Sequence, residues 1–374
     1  DLLPLEGLLG PMAMSRSVCV IIPSVGNADE LGIVLDGMQS QDYFGPLEVV
    51  VVGPTNDPSR QQAESRGIRF IDDEGCRTRA DACNVAIAAT ESELVMFTDD
   101  DVIVPEEWVS RLSRWFERPE VAGVGGPNFG PPDHSTLQQQ IIDVSFCSRI
   151  FTAGTNYGKV GESELEEVEQ LPGVNSAYRR SVLEEVGGFP EGSIGAEDVL
   201  LDHRIRSTGH QLWTDRTAIM WHRRRNLSRV RKQISNYGLV RTLASNQHSD
   251  LRSWSHVMVA LFPPIVVAAF AAFYWGSGNG GLATPWWDFS LGALELELER
   301  LGVLALPWLI VLYNLIAWYG SAAGNSPNRS LVTVFFSPIV IFTLHWSYGI
   351  GVLRGWWRIF TGNPGMQIDD RSRS

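Results

Sequence analysis

The chain has 374 residues, with 43 acidic against 30 basic residues and a formal net charge of −13 at pH 7. It is long enough for one large domain or two smaller ones. No basic domain offers a face that would neutralise phosphates, which argues against nucleic acid as a partner. The cysteines show neither metal-site nor disulfide spacing and are expected to be reduced thiols.

Residues 17–226 alternate between short apolar runs and helical patterns. Predicted strands cover 18–23, 47–52, 67–72 and 94–98, and predicted helices cover 29–41 and 79–90. This order predicts an α/β fold with a doubly wound, mostly parallel sheet. Ligands of such sheets bind outside the carboxyl ends of the strands. Further along, residues 161–170 are acidic and poorly patterned and are expected to form a mobile surface loop, and residues 218–220 are expected to form a strand.

The fourth predicted strand ends in three consecutive carboxylates, Asp99, Asp100 and Asp101. Strand interiors disfavour aspartate, and adjacent like charges repel, so this segment needs a compensating positive charge. Hard divalent cations choose carboxylate oxygens and often share them with substrate phosphates. The motif therefore predicts a metal site for a phosphate ester, against the alternative of a solvated acidic turn.

Two downstream clusters carry groups suited to sugar transfer from a nucleoside diphosphate donor. Glu197 and Asp198 form an acidic pair ahead of a helical pattern, and Asp198 is a candidate to take a proton from an acceptor hydroxyl. His222 is a candidate metal ligand as a neutral imidazole. Arg223 and Arg225 are candidates to meet phosphate oxygens.

Each of these residues also has a structural interpretation. An acidic pair favours the first turn of a helix, a lone histidine is usually packed or exposed, and arginines ahead of a membrane segment could contact lipid headgroups. The order of the clusters on one α/β pattern favours the chemical interpretation.

The composition changes near residue 255, where charged sequence gives way to long apolar stretches at 257–276, 303–320 and 331–353. Each approaches the roughly 20 apolar residues that a bilayer-spanning helix needs, and Trp and Tyr crowd their ends. They predict a membrane domain over 256–360 with two to three spans. Residues 227–255 are predicted to be an amphipathic segment along the headgroups. Residues 1–16 and 361–374 are predicted to be an arm and a polar tail.

Taken in order, these motifs resemble those of the inverting family 2 glycosyltransferases with the GT-A fold. The resemblance covers residues 17–235 and rests on the following segments: Val20-Ile-Ile-Pro23, Ala82-Cys-Asn84, Phe97-Thr-Asp-Asp-Asp101, Gly125-Gly-Pro-Asn128, Asn175-Ser-Ala-Tyr-Arg-Arg180, Gly188-Phe189, Glu197-Asp198 and His222. The membrane helices that follow resemble those of transferases that build polysaccharide or lipid-linked oligosaccharide, including the succinoglycan-type glucosyltransferases.

The resemblance implies a set of site residues. Asp198 would be the catalytic base, with Glu197 beside it, and Asp99, Asp101 and His222 would hold Mn²⁺ or Mg²⁺. The UDP- or GDP-sugar donor would be bound among the following residues: Pro23, Asp57, Arg79, Asn84, Asp99, Asp100, Arg223 and Arg225.

Two features bear on the subclass. The family usually has Val-Asp-Gly-Ser-x-Asp after its second strand, whereas this chain reads Val51-Val-Gly-Pro-Thr-Asn-Asp57, so the carboxylate that contacts the base is missing or replaced by Asp57. Processive synthases carry Gln-x-x-Arg-Trp after the base region, and neither Gln211 nor Gln233 begins that motif. The sequence leaves uridine specificity open and favours the addition of one sugar per encounter.

The sequence therefore predicts a membrane-anchored, metal-dependent hexosyltransferase whose catalytic domain, 17–226, faces the cytoplasm. Its partners would be a nucleotide sugar, a lipid-linked acceptor and membrane lipids. A polyprenyl-phosphate sugar synthase is the alternative within the enzyme class. A non-catalytic membrane scaffold that binds nucleotide sugar is the alternative from another class. The sequence is silent on the oligomeric state.

Overall fold

The structure, a computed structural model, describes residues 16–150, 158, 164–193, 195–252, 254–278 and 294–362. The predicted arm and tail lie outside these residues, apart from Arg16, Thr361 and Gly362. The chain forms two compact units. Of the described residues, the first unit holds 16–134, 158, 164–193 and 195–223, and the second holds 135–150, 224–252, 254–278 and 294–362.

The strands all belong to the first unit and lie as follows: β1 Val18–Pro23, β2 Leu47–Gly53, β3 Arg69–Asp72, β4 Leu94–Phe97, β5 Val102–Ile103, β6 Val121–Gly125, β7 Asn128–Phe129, β8 Leu165–Val168, β9 Ser176–Arg179, β10 Gln211–Asp215 and β11 Met220–His222. The helices lie as follows: α1 Ala28–Gln39, α2 Ser59–Glu64, α3 Arg79–Ala88, α4 Trp108–Ser113, α5 Leu137–Phe146, α6 Arg180–Glu185, α7 Glu197–Ser207, α8 Leu227–Gln247, α9 Trp254–Gly278, α10 Leu294–Ala322 and α11 Leu331–Phe360. Short 3₁₀ turns lie at Arg114–Glu117, Pro132–His134 and Ser249–Leu251.

The main sheet has eight strands in the order β3-β2-β1-β4-β9-β6-β10-β8. β1 pairs in parallel with both β2 and β4, β2 pairs in parallel with β3, and β6 pairs in parallel with β10. β9 is antiparallel to β4 and β6, and β8 is antiparallel to β10. The predicted α/β architecture with a parallel-rich sheet is confirmed. The strand order reverses beside β1, because β2 lies on one side of it and β4 on the other, and such a switch point opens a ligand crevice.

Hydrophobic cores lie on both faces of this sheet. Alternate residues of β1 point to opposite faces, so Val18 and Val20 join one core with α1, while Cys19 and Ile21 join the other with α3. These strand residues are fully buried. Full burial of an apolar side chain of this size contributes about 1.5–3 kcal/mol. Because the buried strands therefore consist of apolar residues, they could be located as apolar runs in the sequence.

Two sequence expectations need correction. The loop expected over 161–170 contains β8, an edge strand whose exposed Glu166 and Glu167 hide the strand signal and discourage further pairing at the sheet edge. The strand expected at 218–220 lies two residues later, at β11, so His222 is its last residue. β11 lies between β5 and β7 in a second, three-stranded sheet, and this pairing fixes its register.

The second unit is helical and recruits α5 from the interior of the sequence predicted to form one continuous catalytic domain. Within this unit α8 packs closely against α11 through small residues. A Cβ on Gly351 would lie 2.0 Å from the Ser235 carbonyl oxygen, and a Cβ on Gly238 would lie 2.5 Å from the Tyr348 carbonyl oxygen. The backbones of the two helices therefore approach each other closely where one of the two has a glycine.

A buried polar network joins α5 to two other segments of the second unit. The carboxylate of Asp143 is fully buried and accepts hydrogen bonds from Arg224, Ser326 and Asn328 at 2.6–2.9 Å. Arg224 is 4% exposed, and its guanidinium lies 5.6 Å from the centroid of the Phe146 ring. Because sequence patterns do not show such long-range pairing, the recruitment of α5 could not be predicted.

All three predicted apolar stretches are helical, and by length and composition two of them are candidate membrane spans. Within the described residues these are Trp254–Ala271 of α9, of which 11% is buried, and Leu331–Phe360 of α11, of which 39% is buried. The apolar part of α10, Leu306–Ala322, is shorter. Outward-facing side chains such as Phe270 and Trp308 leave much of this apolar surface exposed in the unit itself.

The Asp143 network yields a stability prediction. We expect Asp143→Ala to lower the free energy of unfolding by about 3–5 kcal/mol, because it leaves the buried Arg224 charge without its carboxylate. The measurement is the thermal unfolding midpoint of the full-length protein in detergent, followed by tryptophan fluorescence. Glu64→Ala is the control, since its ion pair with Arg60 is exposed and contributes at most about 1 kcal/mol. Equal, small shifts in both variants would contradict the prediction.

Candidate active site

Two carboxylates and an imidazole converge at the carboxyl end of β4. The chain turns after Phe97 to enter β5, and β11 pairs with β5 so that His222 lies opposite Val102. The backbone N–H of Arg223 donates to the Asp101 carbonyl oxygen at 3.3 Å, which extends this pairing. As a result, ligand atoms of Asp99, Asp101 and His222 all lie within 4.8 Å of one another, and His222 Nε2 is 3.1 Å from Asp101 Oδ1.

This donor set fits a divalent cation. Carboxylate oxygens suit Mg²⁺ and Mn²⁺, and a neutral imidazole can add a nitrogen ligand. The three side chains are partly accessible rather than sealed in the core, which leaves an approach for an ion and for a ligand that shares it. Asp99, Asp101 and His222 are therefore the residues that could hold the metal.

Asp100 has a different environment from its two neighbours. Its Oδ2 accepts from Ser24 Oγ at 2.6 Å, and its Oδ1 accepts from Asn27 Nδ2 at 3.2 Å. Burial raises the pKa of Asp100 to about 6, although these two hydrogen bonds act in the opposite direction. Asp100 thus joins the end of β4 to the loop after β1. Sequence reasoning missed Ser24 and Asn27, although both follow β1 directly at the sheet edge where ligands bind.

The loops after β1 and β2 are tied together by Asp57. Its Oδ2 accepts from the Gly26 N–H at 2.7 Å and its Oδ1 accepts from the Ser59 N–H at 2.9 Å. Gly53 is required at the end of β2, because a Cβ there would lie 2.3 Å from the Ser24 carbonyl oxygen. Pro23, the last residue of β1, lies on the same edge and pairs with Val52.

Arg79 links the carboxylate cluster to the start of α7. Its Nε donates to Asp99 Oδ1 at 3.0 Å, its Nη2 donates to the Gly173 carbonyl oxygen at 2.9 Å, and its Nη1 lies 3.7 Å from Glu197 Oε1. Arg79 begins α3, which Thr78 caps by accepting from the Asp81 N–H. One guanidinium therefore contacts both acidic regions that the sequence singled out.

Glu197 and Asp198 begin α7 directly after a residue with unusual backbone geometry. Ala196 has φ +55°, a left-handed conformation that side chains other than glycine rarely adopt. Asp198 Oδ2 accepts from the Gly173 N–H at 3.3 Å, and its Oδ1 accepts from the Val199 N–H at 2.9 Å. Burial raises the pKa of both Glu197 and Asp198, while Arg79 opposes the rise.

The remaining candidate residues have the following positions and contacts. Asn84 exchanges hydrogen bonds of 2.9 Å with the backbone N–H and carbonyl of Phe189, so it fixes the chain ahead of α7. Arg223 forms an ion pair with Glu30 of α1. Arg225 is exposed and belongs to the second unit.

Asn175, which begins one of the segments that carry the family resemblance, is a structural residue of the site. It is fully buried, accepts from Trp108 Nε1 at 2.8 Å, and donates to the carbonyl oxygens of Pro127 and Ala218. It therefore joins the chain before β9 to α4 and to the segments that precede β7 and β11.

Comparison with known proteins identifies the fold. A mannosyltransferase from Pyrobaculum calidifontis, solved in complex with GDP-Man and Mn²⁺, superposes with a TM-score of 0.51 at 19% identity, covering 94% of this chain and 91% of that one. The fold is that of the GT-A glycosyltransferases. The family model for glycosyl transferase family 2 matches residues 19–187 of this chain.

Curated relatives match over shorter segments. An O-antigen chain rhamnosyltransferase of Salmonella typhimurium is 24% identical over 211 residues, which is 55% of this chain and 66% of the relative. A glucosyl-dolichyl phosphate glucuronosyltransferase of Haloferax volcanii is 28% identical over 183 residues, which is 47% of this chain and 51% of the relative. The matches thus span less than two thirds of either relative.

The geometry predicts different effects of substitution within the triple aspartate. Asp101→Asn should weaken Mn²⁺ binding at least about tenfold, because it removes a charged ligand. Asp100→Asn is the matched control and should change Mn²⁺ affinity by less than about threefold, since its oxygens face Ser24 and Asn27. Titration of Mn²⁺ by EPR, with circular dichroism to verify folding, measures both. Equal losses in the two variants would contradict this division of roles.

Proposed function

We propose that this chain is a metal-dependent, inverting hexosyltransferase that moves one sugar from a UDP- or GDP-sugar to a lipid-linked acceptor. The observation that carries the proposal is the position of Arg79, whose guanidinium donates to Asp99 of the Asp99–Asp101–His222 cluster and lies 3.7 Å from Glu197, the neighbour of the half-buried Asp198. The names of the relatives support it, because one is a glucosyl-dolichyl phosphate glucuronosyltransferase and the mannosyltransferase was solved with GDP-Man and Mn²⁺.

In the proposed reaction, Asp198 accepts the proton of an acceptor hydroxyl as that oxygen attacks the anomeric carbon. The hydrogen bonds from the N–H groups of Gly173 and Val199 fix the direction of its carboxylate. One base and one attack give a single displacement, and hence inversion at the anomeric carbon.

The diphosphate end of the donor is assigned to Asp99, Asp101 and His222. A divalent ion held there would supply positive charge to the leaving diphosphate. Arg79 keeps Asp99 oriented and compensates its charge, so it acts as a positioning residue in this scheme. Asp100, Ser24, Asn27 and Asp57 line the neighbouring loops, where the proposal places the nucleoside.

The proposed setting is the cell membrane. α9 and α11 would anchor the chain, and the catalytic unit would face the cytoplasm, where nucleotide sugars are made. The support is the length and apolar composition of these two helices. Such an anchor would keep the enzyme on the surface where a lipid-linked acceptor is held.

The proposal is tested by sugar transfer with the full-length protein in detergent micelles. Labelled UDP- and GDP-sugars are supplied singly with Mn²⁺, Mg²⁺ or a chelator, and a membrane lipid extract provides the acceptors. We expect label in the lipid fraction that depends on the metal, and a loss of about 10²–10⁴-fold in Asp198→Asn, the range that a general base contributes.

Asp202→Asn is the matched control for Asp198→Asn. Asp202 lies one turn further along α7 and accepts from the Leu171 N–H and the Tyr178 hydroxyl. An amide keeps both contacts if the hydroxyl reverses, so activity should stay within about threefold of wild type. Transfer that survives Asp198→Asn would favour a lipid phosphate acceptor, which needs no strong base. No transfer from any donor would favour the non-catalytic scaffold.

The pH dependence of transfer provides a separate prediction. The base must be ionised. Burial raises the pKa of Asp198, while Arg79 and the hydrogen bonds from the N–H groups of Val199 and Gly173 oppose the rise. Activity should therefore fall, as pH is lowered, well before the ordinary aspartate pKa of about 3.9. A kcat/KM profile between pH 4 and 9, taken where the protein stays folded, measures this. A profile that is flat down to about pH 4 would contradict the role of Asp198.

A further inference from the structure

An apolar groove opens in the second unit between the first turns of α8 and the middles of α9 and α11. Its volume of about 520 Å³ lies within the range of small-molecule sites. Val267 and Phe270 come from α9, and Phe342 and Trp346 come from α11. Arg231 of α8 is the cation among the lining residues. The groove thus combines a long apolar wall with one positive charge.

The segment of the second unit that contains α8 is basic. From residue 225 to residue 249 there are five Arg and Lys residues and no Asp or Glu, in a chain whose net charge is −13. Arg231 is exposed, and no acidic side chain of the described residues forms an ion pair with it. It also lies near the amino terminus of a 21-residue helix, where the helix dipole adds partial positive charge. A ligand that is anionic at one end and apolar along its length complements this surface.

We propose that the groove holds a single-chain lipid phosphate of the polyprenyl type, with its phosphate at Arg231 and its hydrocarbon against α9 and α11. The inference rests on the proposed function, because it names the docking site of that reaction's lipid carrier. One apolar groove with one cation fits a lipid in which a single hydrocarbon chain is attached to one phosphate. A bilayer phospholipid carries two chains and would leave one of them outside.

The test is photolabelling of the full-length protein with farnesyl phosphate that carries a diazirine at the end of its tail. The protein is held in phosphatidylcholine vesicles, and labelled peptides are mapped by mass spectrometry. We expect label on the α9 and α11 segments around Phe270 and Phe342. Excess farnesyl phosphate should compete the label away, whereas excess phosphatidylglycerol, an anionic two-chain lipid, should not.

Two variants separate the charge from the apolar wall. Arg231→Gln should lower the affinity for the probe at least about tenfold, since a charge-assisted contact to phosphate is lost. Arg229→Gln is the matched control, because Arg229 is exposed on the same helix and does not line the groove. Val267→Trp should reduce labelling by filling the groove while Arg231 stays intact. An unchanged thermal unfolding midpoint verifies that each variant is folded.

The outcomes distinguish this inference from the proposed function, since labelling does not require sugar transfer. Label outside the groove, equal competition by phosphatidylglycerol, or equal effects of Arg229→Gln and Arg231→Gln would overturn the inference, even if wild-type protein transfers sugar to lipid. Labelling as expected without transfer from any donor would support the groove and defeat the proposed function instead.

Discussion

Mutual repulsion among carboxylates is the constraint on which the candidate site depends. Asp99, Asp100, Asp101, Glu197 and Asp198 gather at the carboxyl edge of the sheet, and two unit charges 4 Å apart repel by about 4 kcal/mol at an effective dielectric constant of about 20. The fold relieves this in several ways. Arg79 contacts both groups, hydrogen bonds from Ser24 and Asn27 hold Asp100, and the N–H groups of Gly173 and Val199 hold Asp198. A bound cation would relieve the most repulsion between Asp99 and Asp101, beside which His222 lies.

The sheet topology explains why these groups meet. The strand order reverses at β1, so the loop after β1 and the aspartates after β4 share one crevice. The second sheet then brings β11 against β5, which places His222 beside Asp101. The left-handed conformation at Ala196 starts α7 with Asp198 against Gly173. Each chemical group is therefore positioned by backbone pairing or a helix terminus, which favours a preorganised site.

Much of this could be predicted from sequence, for physical reasons that also set the limit. Buried strands such as β1 and β4 show as apolar runs, and Asp99–Asp101 stand out because charges directly after such a run need compensation. The separate environment of Asp100 could not be predicted, since it depends on Ser24 and Asn27, which are distant in sequence. The same holds for α5, whose Asp143 pairs with Arg224 and Asn328, and for β8, whose glutamates mask an edge strand.

The central claim is that the carboxylate pair and the imidazole bind one cation, which also binds the diphosphate of the donor. Pulsed EPR of the Mn²⁺-loaded protein tests this claim most directly. The account predicts one tightly bound Mn²⁺ with a ¹⁴N coupling that disappears in His222→Asn, and a ³¹P coupling that appears when UDP or GDP is added. A ¹⁴N coupling that persists in His222→Asn, or a tightly bound Mn²⁺ that shows no ³¹P coupling with either nucleotide, would contradict it.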